Sequence, residues 1–396
     1  MEHTYDFDRI IDRSRERSKT WDPRMCKPGD IPMHGAETQY TCPYPVLDAV
    51  RIVASQEIYG YPYFTDDFSR AAARYQKKWH GWDCDPSWIE FVAGIVPGLA
   101  FALQALSNPG DKVVLNVPAY APFRTLIETN DRILLESPLL VSAESVEFDW
   151  VDMEEKFRDP RTKIFILCDP HNPTGKSCTR GELERIAELS EKYGVAVLVD
   201  EVHSDYVFSG KHTSYPTVSE YAKHNSVVVM NPSKTFNVAG FRTAAIIVPD
   251  KDLHDKINVK IMAVKGISRT ITGVAAFEAC YDGRSDDYLE QLRAYVQENK
   301  RLLENFLNDR IPRIKMIPAD GCFICWLDCR GLGIRSQEEL MSFFNSTGVL
   351  LSNGADYFAD GDGRGFVRMA YAFPRQTLIE ALERLEKAVQ ALPTER

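Results

Sequence analysis

The sequence predicts an α/β protein in two parts: a three-layer large domain with a mainly parallel, doubly wound sheet, and a smaller α+β domain at the C-terminus. Three observations predict it. Over residues 91–248, short β-rich apolar runs alternate with stretches whose apolar positions recur at helical spacing, the pattern of strands linked by crossover helices. After Tyr281-Asp-Gly-Arg-Ser285 that alternation gives way to a long charged amphipathic segment. A chain of 396 residues is also longer than one small core accommodates, so a large domain with a satellite is expected.

In chain order, residues 1–47 hold little regular pattern and are assigned to a segment packing with the small domain; the large domain takes residues 48–285 and the small one 286–396. Strands are predicted at 91–93, 112–117, 163–168, 195–199, 226–230 and 244–248. These runs are near-continuously apolar rather than alternating, so the sheet should be covered on both faces. Helices are predicted at 97–107, 121–130 and 180–193, where Thr179 and Glu182 form a capping box ahead of the last. The small domain should begin with a helix over 287–309, then hold strands at 322–327 and 366–370 and helices at 337–346 and 375–391.

Hydrophobic residues at 44% and charged ones at 26% are the balance of a soluble globular chain, not a disordered or membrane one. Lys plus Arg total 47 against 57 for Asp plus Glu, a net charge of −10, and no basic run is dense enough to hold nucleic acid against that field. The densest stretch, Arg13 to Lys19, is interleaved with Glu16 and serines and reads as a solvated face. No apolar stretch approaches the roughly 18 residues needed to cross a bilayer, and the first residues lack a signal-peptide pattern, so a cytoplasmic protein is expected. Nine cysteines, an odd number, suit reduced thiols. Cys322, Cys325 and Cys329 have a spacing that resembles a metal motif. Their run has strand character, which would send Cys322 and Cys325 to opposite faces, so they are read as core thiols with no metal site.

Doubly wound sheets bind ligands beyond the carboxyl ends of their strands. The loops there hold Asp200, Asp169-Pro-His-Asn-Pro-Thr-Gly175 and Asn231-Pro-Ser-Lys-Thr-Phe-Asn237. A carboxylate, an amide and a lysine at neighbouring strand ends are expensive to keep without a partner. Together they match the needs of pyridoxal 5'-phosphate: a lysine to bond it, an acid for its ring nitrogen, and donors for its oxygens.

With Gly60-Tyr-Pro, Pro118-Ala-Tyr-Ala-Pro-Phe123, His171-Asn-Pro-Thr-Gly175, Asp200-Glu-Val-His-Ser-Asp205 and Pro232-Ser-Lys-Thr-Phe-Asn-Val-Ala-Gly-Phe-Arg242 in this order, the chain resembles the fold-type I aminotransferase superfamily. Within it, the chain is most similar to the MalY/PatB-type cystathionine β-lyases, or C–S lyases, over nearly its whole length. The resemblance implies a pyridoxal-phosphate enzyme that expels a thiol from Cβ of an amino acid, leaving pyruvate and ammonia. An aminotransferase is the same-fold alternative, and a non-catalytic cofactor-binding regulatory protein a further one.

The resemblance assigns roles residue by residue. Lys234 is implied as the catalytic lysine that forms the Schiff base. Asp200 is implied as the partner of the pyridine nitrogen, Asn172 as donor to the phenolic oxygen, and Tyr120 as the ring stacked on the pyridine. Gly98 and Leu99 are expected to open a helix whose free N–H groups bind the phosphate, joined by Ser233 and Arg242. Tyr61 is implied to reach the cofactor of a second subunit, which makes the expected assembly a homodimer with shared sites. Arg368 is implied to grip the substrate carboxylate as a bidentate fork. A helix cap for Asp200, a core position for Tyr120 and a surface ion pair for Arg368 are the plainer alternatives. His203 stands where many aminotransferases have tyrosine and marks the subgroup.

The N-terminal loop lines the active site in this family. There the lyases usually read Pro-Met-Trp-Val-Ala-Asp-Met-Asp-Phe, whereas this chain reads Pro32-Met-His-Gly-Ala-Glu-Thr-Gln-Tyr40. His34 and Gly35 in place of tryptophan and valine are expected to open and polarise the substrate pocket, so His34 joins Arg368 and Asn172 among the substrate-binding residues.

Overall fold

A computed structural model of the chain describes residues 3–13, 15–61, 63, 65–264, 269–359 and 361–393. The main sheet has eight strands in the spatial order Ile89–Val92, Ala244–Ile247, Ser226–Met230, Ala196–Asp200, Thr162–Cys168, Lys112–Val117, Ile133–Val141 and Val146–Phe148. From Ser226–Met230 to Ile133–Val141 the pairing is parallel, and the strands outside that block are antiparallel to their neighbours. The apolar runs are continuous because the sheet is covered twice. In Thr162–Cys168, Ile164, Ile166 and Cys168 pack into one hydrophobic cluster while Phe165 and Leu167 pack into the other.

Several helix limits follow from local signals. Arg180–Tyr193 starts on the Thr179–Glu182 capping box and ends at Gly194, whose φ of 67° is the left-handed C-terminal stop. The helix expected at 97–107 instead spans Ile95–Leu106, with Gly94 as its N-cap. The sheet extends past the predicted strands at one edge because Ile133–Val141 carries Glu136-Ser-Pro138 on a half-buried surface, and Val146–Phe148 is only three residues long. Trp150–Arg158 follows, capped by the Asp149 carboxylate accepting from Val151 and Asp152 N–H.

A second, four-stranded antiparallel sheet has the order Lys315–Met316, Ile324–Asp328, Phe366–Ala370, Ser352–Asn353. The strand expected from residue 322 begins at Ile324, because Cys322 sits at φ 66°, in a left-handed conformation that no strand residue adopts. Its thiol points to the His171 carbonyl at 3.7 Å, whereas Cys325 faces the Met369 carbonyl at 3.5 Å. The N-terminal segment is sewn to this part of the molecule. Ile31–Pro32 pairs with Val349–Leu350, Met33 O accepts from Ala370 N–H at 2.8 Å, and Gln39 N–H donates to Ala372 O at 3.0 Å.

The two sheets meet at a pair of glycines. Gly175, at φ 75°, leaves no room for a side chain: a Cβ there would stand 2.7 Å from Ala319 Cβ and 3.0 Å from Gly321 O. Gly321 likewise packs on Pro170 and donates its N–H to Gly175 O at 2.9 Å. This contact fixes the loop carrying Asn172 against the chain that enters the second sheet. Among the described residues no helix is long and apolar enough to cross a membrane.

Candidate active site at the strand ends

Sheet register brings the predicted residues together. Asp200 ends its strand opposite Cys168 on one side and Val229 on the other, so its side chain emerges between the 169–175 loop and the 231–237 loop. The three loops, the start of Ile95–Leu106 and the 34–37 segment enclose a cleft of about 560 Å³. Within it Lys234 Nζ donates to Ala36 O at 2.7 Å. Burial pushes the Lys234 amine down to about 8; Glu37 and Asp200 partly offset this, while Arg368 adds to it. The Asp200 carboxyl is pushed the other way, up to about 7, by burial, against the Val202 N–H donating to Oδ1 at 3.0 Å and the Lys234 charge. Both shifts express the cost of holding a charge out of water.

Arg368, on a strand of the small sheet, reaches across to the same cleft. Its Nη1 donates to Asn172 Oδ1 at 3.1 Å and its Nη2 to His34 O at 2.5 Å and Ser352 Oγ at 3.2 Å. Its Nε, though buried, has no partner. A buried donor left without an acceptor is a costly arrangement unless a ligand meets it. His34 and Ala36 thus turn their carbonyls to the two cations. The space beside Gly35 is not open: a Cβ there would stand 2.8 Å from Thr20 Cγ2, so Thr20 fills the room the glycine provides. His34 lines the cleft.

Tyr120, Ser233, Arg242 and His203 also line the cleft. Tyr120 is 38% exposed and meets Phe123 edge-on at 5.5 Å. Ser233 N–H donates to Asn231 Oδ1 at 2.6 Å, which turns the loop just before Lys234. The Arg242 guanidinium stands over Gly94, with Nη2 3.9 Å from where a Cβ would lie. His203 is buried with Nδ1 unpartnered, and burial, followed by the charges of Lys234 and Arg368, holds its imidazole down to about 3, so it is neutral.

The helix start is displaced from the expected position. Gly98 N–H is already bonded to Gly94 O at 3.1 Å, and Leu99 is fully buried. Because the helix starts at Ile95, the free N–H groups of its first turn belong to Ile95 and Val96, which line the cleft; Gly98 and Leu99 do not. Gly98 serves packing instead, lying where a Cβ would press on Val92 and Val229 at 3.1 Å. Tyr61 is fully exposed and does not line the cleft of its own chain.

The family model for aminotransferase class I and II matches residues 33–385. The chain belongs to that family. It is 33% identical over 391 residues to cystathionine beta-lyase PatB of Bacillus subtilis, covering 97% of this chain and 99% of that one. It is 26% identical to protein MalY of Escherichia coli over 98% of this chain and all of the relative. Among solved structures, cystalysin from Treponema denticola, which contains a pyridoxal 5'-phosphate cofactor, superposes with a TM-score of 0.93 at 27% identity, covering 99% of this chain and 100% of that one. The C-S lyase from Staphylococcus hominis, solved with PLP bound, gives 0.89 at 25% identity over 98% of both chains.

Behind this aminotransferase-family cleft lies a buried polar layer that the motifs alone did not reveal. His212 stands between two carboxylates, Nε2 3.3 Å from Glu201 and Nδ1 3.7 Å from Asp169. Burial works against its charge, but Glu201 and then Asp169 raise its affinity for a proton. A second set centres on Asp205, which accepts from Tyr75 Oη at 2.7 Å and from Thr235 Oγ1 and lies 3.4 Å from His80. Glu201 and Asp205 flank His203 in the Asp200 motif, so their charge was visible in the sequence. Their partners His212, His80 and Tyr75 come from other segments and carried no signal.

Proposed function

We propose that this chain is a pyridoxal-phosphate-dependent carbon–sulfur β-lyase acting on a β-substituted amino acid. The observation that carries the reading is the meeting of Lys234, Asp200, Asn172 and Arg368 in one cleft, with a lysine held at about 8 and a buried arginine Nε left without a partner. The residues fit the cofactor chemically. Lys234 would bond it, Asp200 would face its ring nitrogen, and Asn172 and Tyr120 would hold and cover the ring. Ser233, Arg242 and the N–H groups of Ile95 and Val96 would take the phosphate. The cofactor, when bound, supplies an electron sink for the pair released at Cα.

The chain's own groups do the rest. Arg368 binds the α-carboxylate through its guanidinium, whose Nε has no partner within the chain, and so orients the Cα–H bond. The Lys234 amine, once the substrate is held, takes the Cα proton on Nζ. A lysine at about 8 is neutral roughly one time in eleven at pH 7, against about one in three thousand for an ordinary lysine. The Cβ–S bond breaks with its electron pair leaving on sulfur, a Cα=Cβ bond forms, and the released enamine takes up one water to give pyruvate and ammonia. The relatives named as cystathionine and C-S lyases support elimination over amino transfer.

A homodimer is part of this reading. Ile52, Ile58, Tyr59, Tyr61 and Tyr63 form an exposed apolar group, with Ile58 82%, Tyr63 90% and Tyr61 fully exposed, and a second copy of the chain is its natural cover. The deciding experiment incubates the PLP-loaded enzyme with cystathionine and other cysteine conjugates in the absence of any keto acid. Pyruvate and thiol released in equal amounts, both lost in Lys234→Ala, are expected. Turnover that appears only when a keto acid is added would establish an aminotransferase instead.

A further inference from the structure

The loop that follows Asp200 turns back on Lys234. Residues Ser204–Tyr206 form a single helical turn, and its last two residues grip the chain at the lysine. Asp205 accepts from Oγ1 of Thr235, the residue next to the lysine, and Tyr206 Oη donates to the Lys234 carbonyl at 3.1 Å. Asp205, Tyr206 and Thr235 are all buried, so water competes little for either contact. The turn is itself fixed from behind. Tyr75 Oη donates to Asp205 at 2.7 Å, the His80 ring lies 3.4 Å from the same carboxylate, and Ser204 Oγ lies 3.3 Å from His80 Nε2. Burial works against the Asp205 charge, but His80, Thr235 and Tyr75 outweigh it and hold the carboxyl below its ordinary range. Burial, followed by the Asp205 charge, pushes the Tyr206 phenol well above its own. At neutral pH the two are therefore an anionic acceptor and a neutral donor.

We propose that Asp205 and Tyr206 are positioning residues for the proton transfer: by fixing the backbone at Lys234 and Thr235 they set where Nζ stands. The proposal rests on Lys234 as the proton-accepting amine and adds what aims it. Neither residue touches the reacting atoms; both act through the lysine. An amine on a flexible four-carbon stem is aimed only as well as its backbone is held, and a misplacement of about 1 Å can cost on the order of a hundredfold in rate. The far side of the turn is tied as well, since Asn237 Nδ2 donates to Thr38 O at 3.0 Å and to Tyr40 O at 2.9 Å. The stretch that carries the grip begins at Asp200, the group that would face the ring nitrogen of the cofactor. One short segment thus joins that carboxylate to the anchor of the amine, so the spacing between the two groups is built into the fold.

The test uses the PLP-loaded enzyme with cystathionine. Thr235→Val keeps the shape and removes Oγ1, and Tyr206→Phe removes Oη while its ring keeps the edge-on contact with Phe323. Each should lower kcat for pyruvate formation at least about fivefold with KM within about threefold, and Thr235→Ser should hold kcat within about twofold of wild type. The pH at which the visible band of the loaded enzyme titrates reads the surroundings of Nζ without turnover. It should move by at least about half a unit in Thr235→Val and Tyr206→Phe and stay in place in Thr235→Ser. Lys234→Ala supplied with methylamine uses a free base that no backbone aims, so adding either substitution should leave the rescued rate within about twofold. Where Thr235→Val fails to fold, Tyr206→Phe carries the same test. A kcat within about twofold of wild type in the variants, or an equal loss in the methylamine-rescued enzyme, overturns the positioning role and leaves the lyase standing. No pyruvate from the wild-type enzyme refutes the lyase; the visible band then decides the positioning alone, and a titration unmoved in the variants overturns it.

Discussion

Arg368→Lys separates a carboxylate grip from a structural tie. In the structure the guanidinium spends Nη1 on Asn172 and Nη2 on His34 O and Ser352, and its buried Nε has no partner. A lysine retains the charge but not the planar fork, so it cannot span Asn172 and His34 and also meet a carboxylate along two directions. The loss is one charge-assisted hydrogen bond in a buried site, about 1.5–3 kcal/mol, or roughly 10- to 150-fold in KM. Because the carboxylate is gripped alike before and during the reaction, kcat should stay within about threefold. Steady-state pyruvate formation measures both. The control is the cysteamine S-conjugate, which has no carboxylate: its binding to the Lys234→Ala enzyme should be indifferent to the added Arg368→Lys change. A KM within about threefold of wild type, or an equal penalty on the cysteamine compound, would refute the carboxylate role and leave Arg368 as a tie between Asn172 and the N-terminal segment.

Three further outcomes follow from the site. Asp200, with a folded carboxyl at about 7, binds a proton more tightly folded than unfolded, so its ionisation costs stability as pH rises from about 4 through 7. Cofactor-free Asp200→Asn should therefore be more stable than wild type at pH 8, by up to about 4 kcal/mol in urea unfolding, with no advantage at pH 4, while its PLP-loaded turnover drops steeply. His212→Gln should destabilise by about 3–5 kcal/mol, since Glu201 and Asp169 lose the cation between them. The His212 proton affinity is raised in the fold, so its contribution is full below the ordinary histidine range and fades as pH climbs through the raised value; a gap to wild type that stays constant from pH 6 to 9 would count against it. Gly175→Ala should cost about 2–4 kcal/mol through left-handed backbone and the clash with Ala319. Gly181→Ala, in a helix with nothing within 4 Å, should be neutral or better by thermal unfolding.

What was readable in the sequence tracks how local the physics is. The strands Lys112–Val117 and Ser226–Met230 and the helix Arg180–Tyr193 are written in uninterrupted apolar runs and in a capping box, so their limits could be read residue by residue. Lys234, Asp200 and Asn172 follow directly, because a polar residue at the carboxyl end of such a strand has only the cleft to face. The helix at residue 95 was harder: Pro97 looks like a first position, yet its missing N–H is equally harmless two residues in, and the true start is set by Gly94 at φ 135°. Ile133–Val141 was hidden because Glu136-Ser-Pro138 reads as a turn, although an outer strand tolerates it.

The resemblance implied that the N-terminal loop lines the site, but the tie of its carbonyls to the two cations was not readable, since it depends on chain paths that meet only in the fold. Lys234 and Arg368 come from different sheets, yet both are anchored on one short stretch, through the carbonyls of Ala36 and His34. The residues just before that stretch are held in place, Ile31–Pro32 by pairing to Val349–Leu350 and Met33 O by accepting from Ala370 N–H. The placement of the two cations therefore depends on the backbone at residues 34–36, and a change at His34 that shifts this backbone should move kcat as well as KM in steady-state pyruvate formation.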